Sequence, residues 1–178
     1  PALIRQVSET VAAQLNGRGR ITICDAPQTD SSFEKLVERL ELHSLVEDLI
    51  GRYGVAAEII DLRNEEWVNV DGVIAHRTRL RGDPEGTIAF NLGQDSLFYG
   101  HRGEGRYYGA DYDAGVVNRH HHGGTQEYLL CASPIKCDVF INMPKLKTHK
   151  KAGVTLNLKN LVGINADKNW LPHHTNGS

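Results

Sequence analysis

Between Asn142 and Lys151 the sequence Asn-Met-Pro-Lys-Leu-Lys-Thr-His-Lys-Lys gathers four lysines and a histidine into one short stretch. Ammonium groups attract carboxylates and phosphates, and an imidazole exchanges a proton near neutral pH, so the stretch offers anion binding beside acid–base chemistry. On this reading His149, Lys147 and Asp25 are catalytic, and Asn142, Lys145, Lys159, Asn160 and Lys168 bind an anionic small-molecule substrate. Lys159 and Asn160 interrupt an otherwise apolar run from Val154 to Val162. A buried lysine needs a partner, so Lys159 lies either on an exposed face or in a pocket toward an anion. The plain alternative for the whole stretch is a solvated basic loop.

Two histidine clusters come next. His120-His121-His122 lies between Arg119 and Gly123-Gly124, and His173-His174 follows Trp170-Leu171-Pro172. Neutral imidazole is a frequent metal ligand, which makes His120, His122, His173 and His174 candidates for holding a divalent metal. Consecutive residues of a regular element do not all face one ion, and no His-Glu-x-x-His pattern is present, so hydrogen-bonding or surface roles compete. Asp25, closing an expected strand, is either a functional carboxylate or the cap of a turn before Pro27. Asp111 and Asp113 either bind a cation or are solvated. Tyr99, Tyr107, Tyr108 and Tyr112 either line a pocket or anchor the core. Cys24, Cys131 and Cys137 have no Cys-x-x-Cys spacing and read as buried, reduced thiols.

The elements that must position these groups follow from periodicity. Leu3, Val7, Val11 and Leu15 form the stripe of a helix that Asn16-Gly17 ends. Ile21–Cys24 is a strand, Ser31 and Glu34 have capping-box spacing before a helix through Leu40, and a second helix spans 42–53. Val55–Leu62 is the next strand. Val73–Leu80 and Thr87–Leu92 form an expected hairpin, and residues 93–124 are an irregular Gly/Tyr/His-rich insertion. A helix over Thr125–Ala132, a strand over Asp138–Pro144 and a helix carrying Val154, Leu158, Leu161 and Val162 complete the reading. The expected fold is α/β, a mostly parallel sheet flanked by helices, forming a single domain over residues 1–178. The proline start and loop-like finish suggest an internal piece of a longer chain.

A formal net charge of −2 gives no global drive toward polyanions, so nucleic acid is an unexpected partner and any basic site must be local. No apolar run is long enough to span a membrane, and a cytoplasmic location is expected. The oligomeric state is left open.

The segment Asp138-Val-Phe-Ile-Asn-Met-Pro-Lys-Leu-Lys-Thr-His149, followed by Gly153-Val-Thr-Leu-Asn-Leu-Lys-Asn-Leu-Val-Gly163, resembles the signature of the family called domain of unknown function 362. Asp167-Lys-Asn-Trp-Leu-Pro-His-His174 and Cys24-Asp-Ala-Pro-Gln28 are similar to one subgroup of it. The resemblance extends over essentially the whole chain and is densest in its last part. It implies a prokaryotic protein, and many relatives carry a ferredoxin-like segment with two four-iron clusters. This chain departs from that pattern: it lacks a clustered cysteine quartet, so an iron–sulfur centre within it is not supported. A more distant likeness, without matching motifs, is to the amino-terminal domain of nickel-pincer lactate racemases, which also place histidines and lysines in a polar α/β cleft.

Overall fold

The computed structural model describes residues 1–109, 114–149 and 153–176. In chain order its elements are α1 (Ala2–Leu15), β1 (Arg20–Asp25), α2 (Phe33–Arg39), α3 (Leu42–Tyr53), β2 (Ala56–Asp61), β3 (Glu65–Val70), β4 (Val73–Arg79), β5 (Thr87–Asn91) and β6 (Tyr107–Tyr108). There follow α4 (Ala114–His120), β7 (His121–His122), β8 (Thr125–Cys131), α5 (Ala132–Lys136), β9 (Lys147–His149), β10 (Gly153–Thr155), α6 (Asn157–Leu161) and β11 (His174–Thr175). They gather into two compact units, Pro1–Gly82 with Ile141–Gly163, and Asp83–Phe140 with Ile164–Ser178.

In the first unit β1 and β2 run parallel, in register from Arg20 opposite Ala56 to Asp25 opposite Asp61, with α2 and α3 forming the crossover that parallel pairing requires. The core lies between these strands and the helices: Ala12, Val37, Leu42, Leu45, Leu49 and Val55 are buried, with Ile21, Ile23 and Ile59 packed against them. The face of α1 that packs there carries Ile4, Ser8, Ala12 and Leu15. That face is offset from the expected stripe, and Leu3 is exposed. Small residues at 8 and 12 let the helix approach closely, a preference that hydrophobicity alone does not report. Ser32, one residue later than expected, caps α2 by accepting from the Lys35 N–H at 3.3 Å.

Arg63 follows β2 and is buried. Its guanidinium grips Asp61 in a fork, Nε to Oδ1 at 3.0 Å and Nη2 to Oδ2 at 2.8 Å. Through Nη1 it also donates to the carbonyls of Gln28 at 3.1 Å and Ser31 at 2.7 Å, so one side chain holds the loop that leaves β1. Burial alone would favour the uncharged form, but the Asp61 and Glu66 carboxylates outweigh it and raise the pKa above its ordinary value.

In the second unit β8 is central, antiparallel to both β5 and β7. The C-terminal segment joins the same unit: Asn165 bridges Leu130, the Ala166 N–H donates to the Leu129 carbonyl at 2.9 Å, and β11 pairs antiparallel with β6. Asp83 fixes the start of α5 by accepting from the Ser133 backbone N–H at 2.7 Å and its hydroxyl at 2.5 Å.

Helices and sheets mix as expected, but the sheet is not mostly parallel. β1–β2 is the one parallel pair among the described residues, and the other pairings are antiparallel. The reason is local. Asp71 and Gly72, at φ 50° and 84°, turn β3 back on β4, and an Asp-Gly pair with two positive φ values is a hairpin turn. β4 is therefore taken by β3, and the expected hairpin of β4 with β5 does not form. The expected helix at Thr125–Ala132 is instead β8, whose pairing with β5 satisfies the backbone along Thr87–Asn91. Asp138–Pro144 has no ladder partner among the described residues and so is not a strand, with Val139, Phe140 and Ile141 exposed. The expected helix carrying Val154 begins only at Asn157, because Gly153–Thr155 pairs with Lys147–His149.

Truncation of Arg63 to alanine strands the Asp61 carboxylate and two carbonyls. We expect a loss of about 3–5 kcal/mol in urea unfolding, the usual cost of breaking a buried pair. A loss under about 1 kcal/mol, the range of surface pairs, would contradict this role.

Candidate functional site

β9 and β10 form a short antiparallel hairpin in which Lys147 lies opposite Thr155 and His149 opposite Gly153. Residues two apart on a strand share a face, so Lys147 and His149 project to one side. The positions facing them hold a hydroxyl and no side chain at all. Lys145 and Lys147 are exposed and His149 is half-buried. Between Val139 and Ala166 the sequence has no Asp or Glu, while it has Lys145, Lys147, Lys150, Lys151 and Lys159. This segment is thus a local positive charge in a slightly acidic chain. Lys150 and Lys151 lie outside the described residues.

The asparagines act within the scaffold. Asn142 donates through Nδ2 to the Asn157 carbonyl at 3.0 Å, and Asn160 donates through Nδ2 to Asn142 Oδ1 at 2.8 Å. These bonds tie the chain leaving residue 142 to the first turn of α6, which carries Lys159 on exposed surface. Lys159 is exposed. Beyond α6, a Cβ on Gly163 would lie 3.6 Å from the Ala26 carbonyl oxygen, so the helical segment ends against the β1 exit. There Asp25 Oδ1 accepts from the Ala26 N–H at 2.8 Å, a turn-capping bond. The first unit therefore contains Asp25, Asn142, Lys145, Lys147, His149, Lys159 and Asn160.

Lys168 belongs to the second unit, where it is half-buried in a 3-10 turn capped by Asp167. The candidate metal ligands are also in this unit. His120 Nδ1 donates to Glu127 Oε2 at 2.8 Å, and its ring stacks on Trp170 with centroids 3.4 Å apart. His122 is exposed on β7, while His121 points the opposite way and is fully buried. His173 and His174 have ring centroids 4.2 Å apart, and His174 stacks on Tyr108. Among the described residues no three His, Cys, Asp or Glu side chains come together as a metal-binding group. Asp111, Tyr112 and Asp113 lie outside them. The three cysteines form no disulfide among the described residues; Cys131 is buried as expected, but Cys24 is only half-buried and Cys137 is exposed.

Sequence reasoning missed the group around His121. Its Nε2 lies 2.7 Å from the Trp170 carbonyl and its Nδ1 2.9 Å from Gln126 Oε1. A carbonyl only accepts, so Nε2 carries the ring proton. Nδ1 of the neutral ring then accepts from the Gln126 amide, which a half-turn of that amide supplies. Burial pushes the His121 pKa below its ordinary value. The missing signal was the strand at 125–131: its pairing places Gln126 directly opposite His121. Gly109 matters nearby, since a Cβ there would meet the Asn169 Cα at 2.8 Å and its carbonyl oxygen at 2.9 Å.

Clefts open on the described surface of each unit. One, of about 400 Å³, is in the first unit and includes Asp30 and Glu66, so its charge disfavours an anion. Another, of about 290 Å³, is in the second unit and is lined by aromatic and histidine side chains. No helix among the described residues is long and apolar enough to cross a membrane.

The family model described as domain of unknown function DUF362 matches residues 85–178. This is more than half of the chain, which therefore belongs to that family. Neither a curated protein nor a solved structure matches it.

His121 generates a pH test. Its folded pKa lies below the ordinary value of about 6.5, so the unfolded chain takes up the proton first. Its contribution to stability is full above about pH 6.5 and is lost as the pH falls through the lowered folded value. Chemical unfolding of the protein and of His121→Gln is expected to show a pH-dependent difference that shrinks below pH ~6.5. A difference constant with pH would refute a buried neutral imidazole. Separately, Gly109→Ala is expected to lower the melting temperature by several degrees, corresponding to an overpacking cost of roughly 1–3 kcal/mol.

Proposed function

We propose that this DUF362 member is an enzyme that acts on an anionic small molecule held on the basic face of the β9–β10 hairpin. The observation that carries this reading is the hairpin register. Lys147 and His149 share a face, Thr155 and Gly153 stand opposite, and no acidic residue occurs from Val139 to Ala166. An anion approaching that face meets cations that no neighbouring carboxylate of the segment neutralises.

In this reading Lys145, Lys147 and Lys159 bind the carboxylate or phosphate, and His149 exchanges the proton near neutral pH. Asn142 and Asn160 hold the hairpin approach and α6 together through their mutual amide bond, which orients Lys159. Asp25 supplies a carboxylate from the β1 exit.

Calorimetric titration with inorganic phosphate at low ionic strength tests the binding half of the proposal. We expect saturable binding that weakens on the order of fivefold in Lys147→Ala, the scale of an exposed charge contact. It should weaken further with added salt. Unchanged affinity in both Lys147→Ala and Lys159→Ala would sink the anion site. For the chemical half, His149→Ala should retain the far-ultraviolet circular dichroism of the parent and the phosphate binding, yet lose turnover. Parental turnover in that variant would remove His149 as the acid–base group.

A further inference from the structure

The second unit contains a cleft whose chemistry differs from that of the basic hairpin. Its volume is about 290 Å³, near the lower end of small-molecule pockets, and its lining includes Phe98, His101, Tyr107, His173 and His174. It is built around a fixed imidazole. The Gly103 N–H donates to His101 Nδ1 at 3.0 Å, and the Tyr107 hydroxyl lies 3.0 Å from the same nitrogen. Tyr107 is buried, and burial raises its pKa above the ordinary value, so its hydroxyl stays protonated and donates. Two donors converging on Nδ1 leave the proton of the neutral ring on Nε2. No bond to Nε2 is found among the described residues, and His101 is exposed. The Gly103 backbone approaches both rings closely: a Cβ there would lie 2.9 Å from His101 Nδ1 and 3.0 Å from the Tyr107 ring.

The walls are flat. Phe98 meets His101 edge-on at 5.9 Å and Tyr107 edge-on at 5.7 Å, and His174 is held against Tyr108 by a stacked contact at 5.1 Å. β11 brings His174 and Thr175 there by pairing with β6. Among the described residues no carboxylate lines the cleft.

We propose that this cleft is a binding site for a small aromatic carboxylate, its ring packed between Phe98 and His174 and its carboxylate accepting the His101 Nε2–H. Planar walls favour a planar ring through offset and edge contacts, the volume limits it to about one ring, and the described lining residues, none of them acidic, admit the charge. The site is independent of the anion site on β9–β10.

Titration of the protein with sodium benzoate, followed by nuclear magnetic resonance of the histidine ring nitrogens, tests it. We expect a saturable shift at His101 Nε2, with Nδ1 unprotonated throughout. Cyclohexanecarboxylate, of equal charge but without a π face, should bind about fivefold more weakly, and Phe98→Leu should weaken benzoate by a similar factor. Lys147→Ala should leave the benzoate response unchanged, which separates this proposal from the hairpin site. An unsaturable response, equal binding of cyclohexanecarboxylate, or the same shifts with inorganic phosphate would overturn it. The ligand comparison uses the unaltered protein, so it decides the matter even where Phe98→Leu fails to fold.

Discussion

Arg63 brings a permanent charge to a place where only 2% of its side chain meets solvent, and the first unit is arranged around neutralising it. Desolvating a guanidinium is costly unless its donors are satisfied, and here they reach Asp61, Glu66 and the carbonyls of the loop that leaves β1. That loop would otherwise be a free connection between β1 and α2. Pinned by Arg63, and by the Trp67 N–H donating to the Thr29 carbonyl at 2.7 Å, it has a defined path. The turn held by Asp25 at the end of β1, and the Ala26 surface against which Gly163 ends, follow from that path. The candidate anion site thus rests on a scaffold that begins with one buried cation far earlier in the sequence.

The second unit solves a different problem, the placement of neutral polar rings in a small core. His121 and Gln126 are fully buried and satisfy one another, with the Trp170 carbonyl completing the set. Around them Phe98, Tyr107 and Tyr128 make edge contacts with the His121 ring at 5.7, 6.4 and 5.2 Å. Such a group specifies one arrangement well, because a misplaced ring leaves buried polar atoms unpaired. Within the histidine-rich run His120–His122, one ring pairs with Glu127, one is core and one is exposed.

Local signals were legible in the sequence where the physics was local. The helix over residues 2–15, its left-handed Asn16 end, β1, α2, α3 and β2 follow from periodicity and capping, and all are present. Strand partnership was not legible, because it depends on which distant segment is available. Thr125–Cys131 has the residues of either a helix or a strand until β5 is known to need a partner, and Asp138–Pro144 looks like a strand but finds no partner among the described residues. The turn Asp71-Gly72 was the one short-range cue that would have corrected the sheet direction. At the candidate site, the lysines and His149 were visible as a charge cluster, but the strand register that aligns Lys147 with His149 was not. Arg63 and His121 were invisible as buried groups, since burial of a charge or an imidazole depends on partners remote in sequence.

Membership in DUF362 places the chain in a family and leaves the chemistry to be read from its residues. The central claim is that the face shared by Lys147 and His149 receives an anion. Diffraction from crystals grown with selenate, at the selenium absorption edge, tests it most directly. The account predicts an anomalous peak within hydrogen-bonding distance of the Lys147 ammonium, on the side of β9 that carries His149. Selenate bound elsewhere on the protein with that face unoccupied would contradict it.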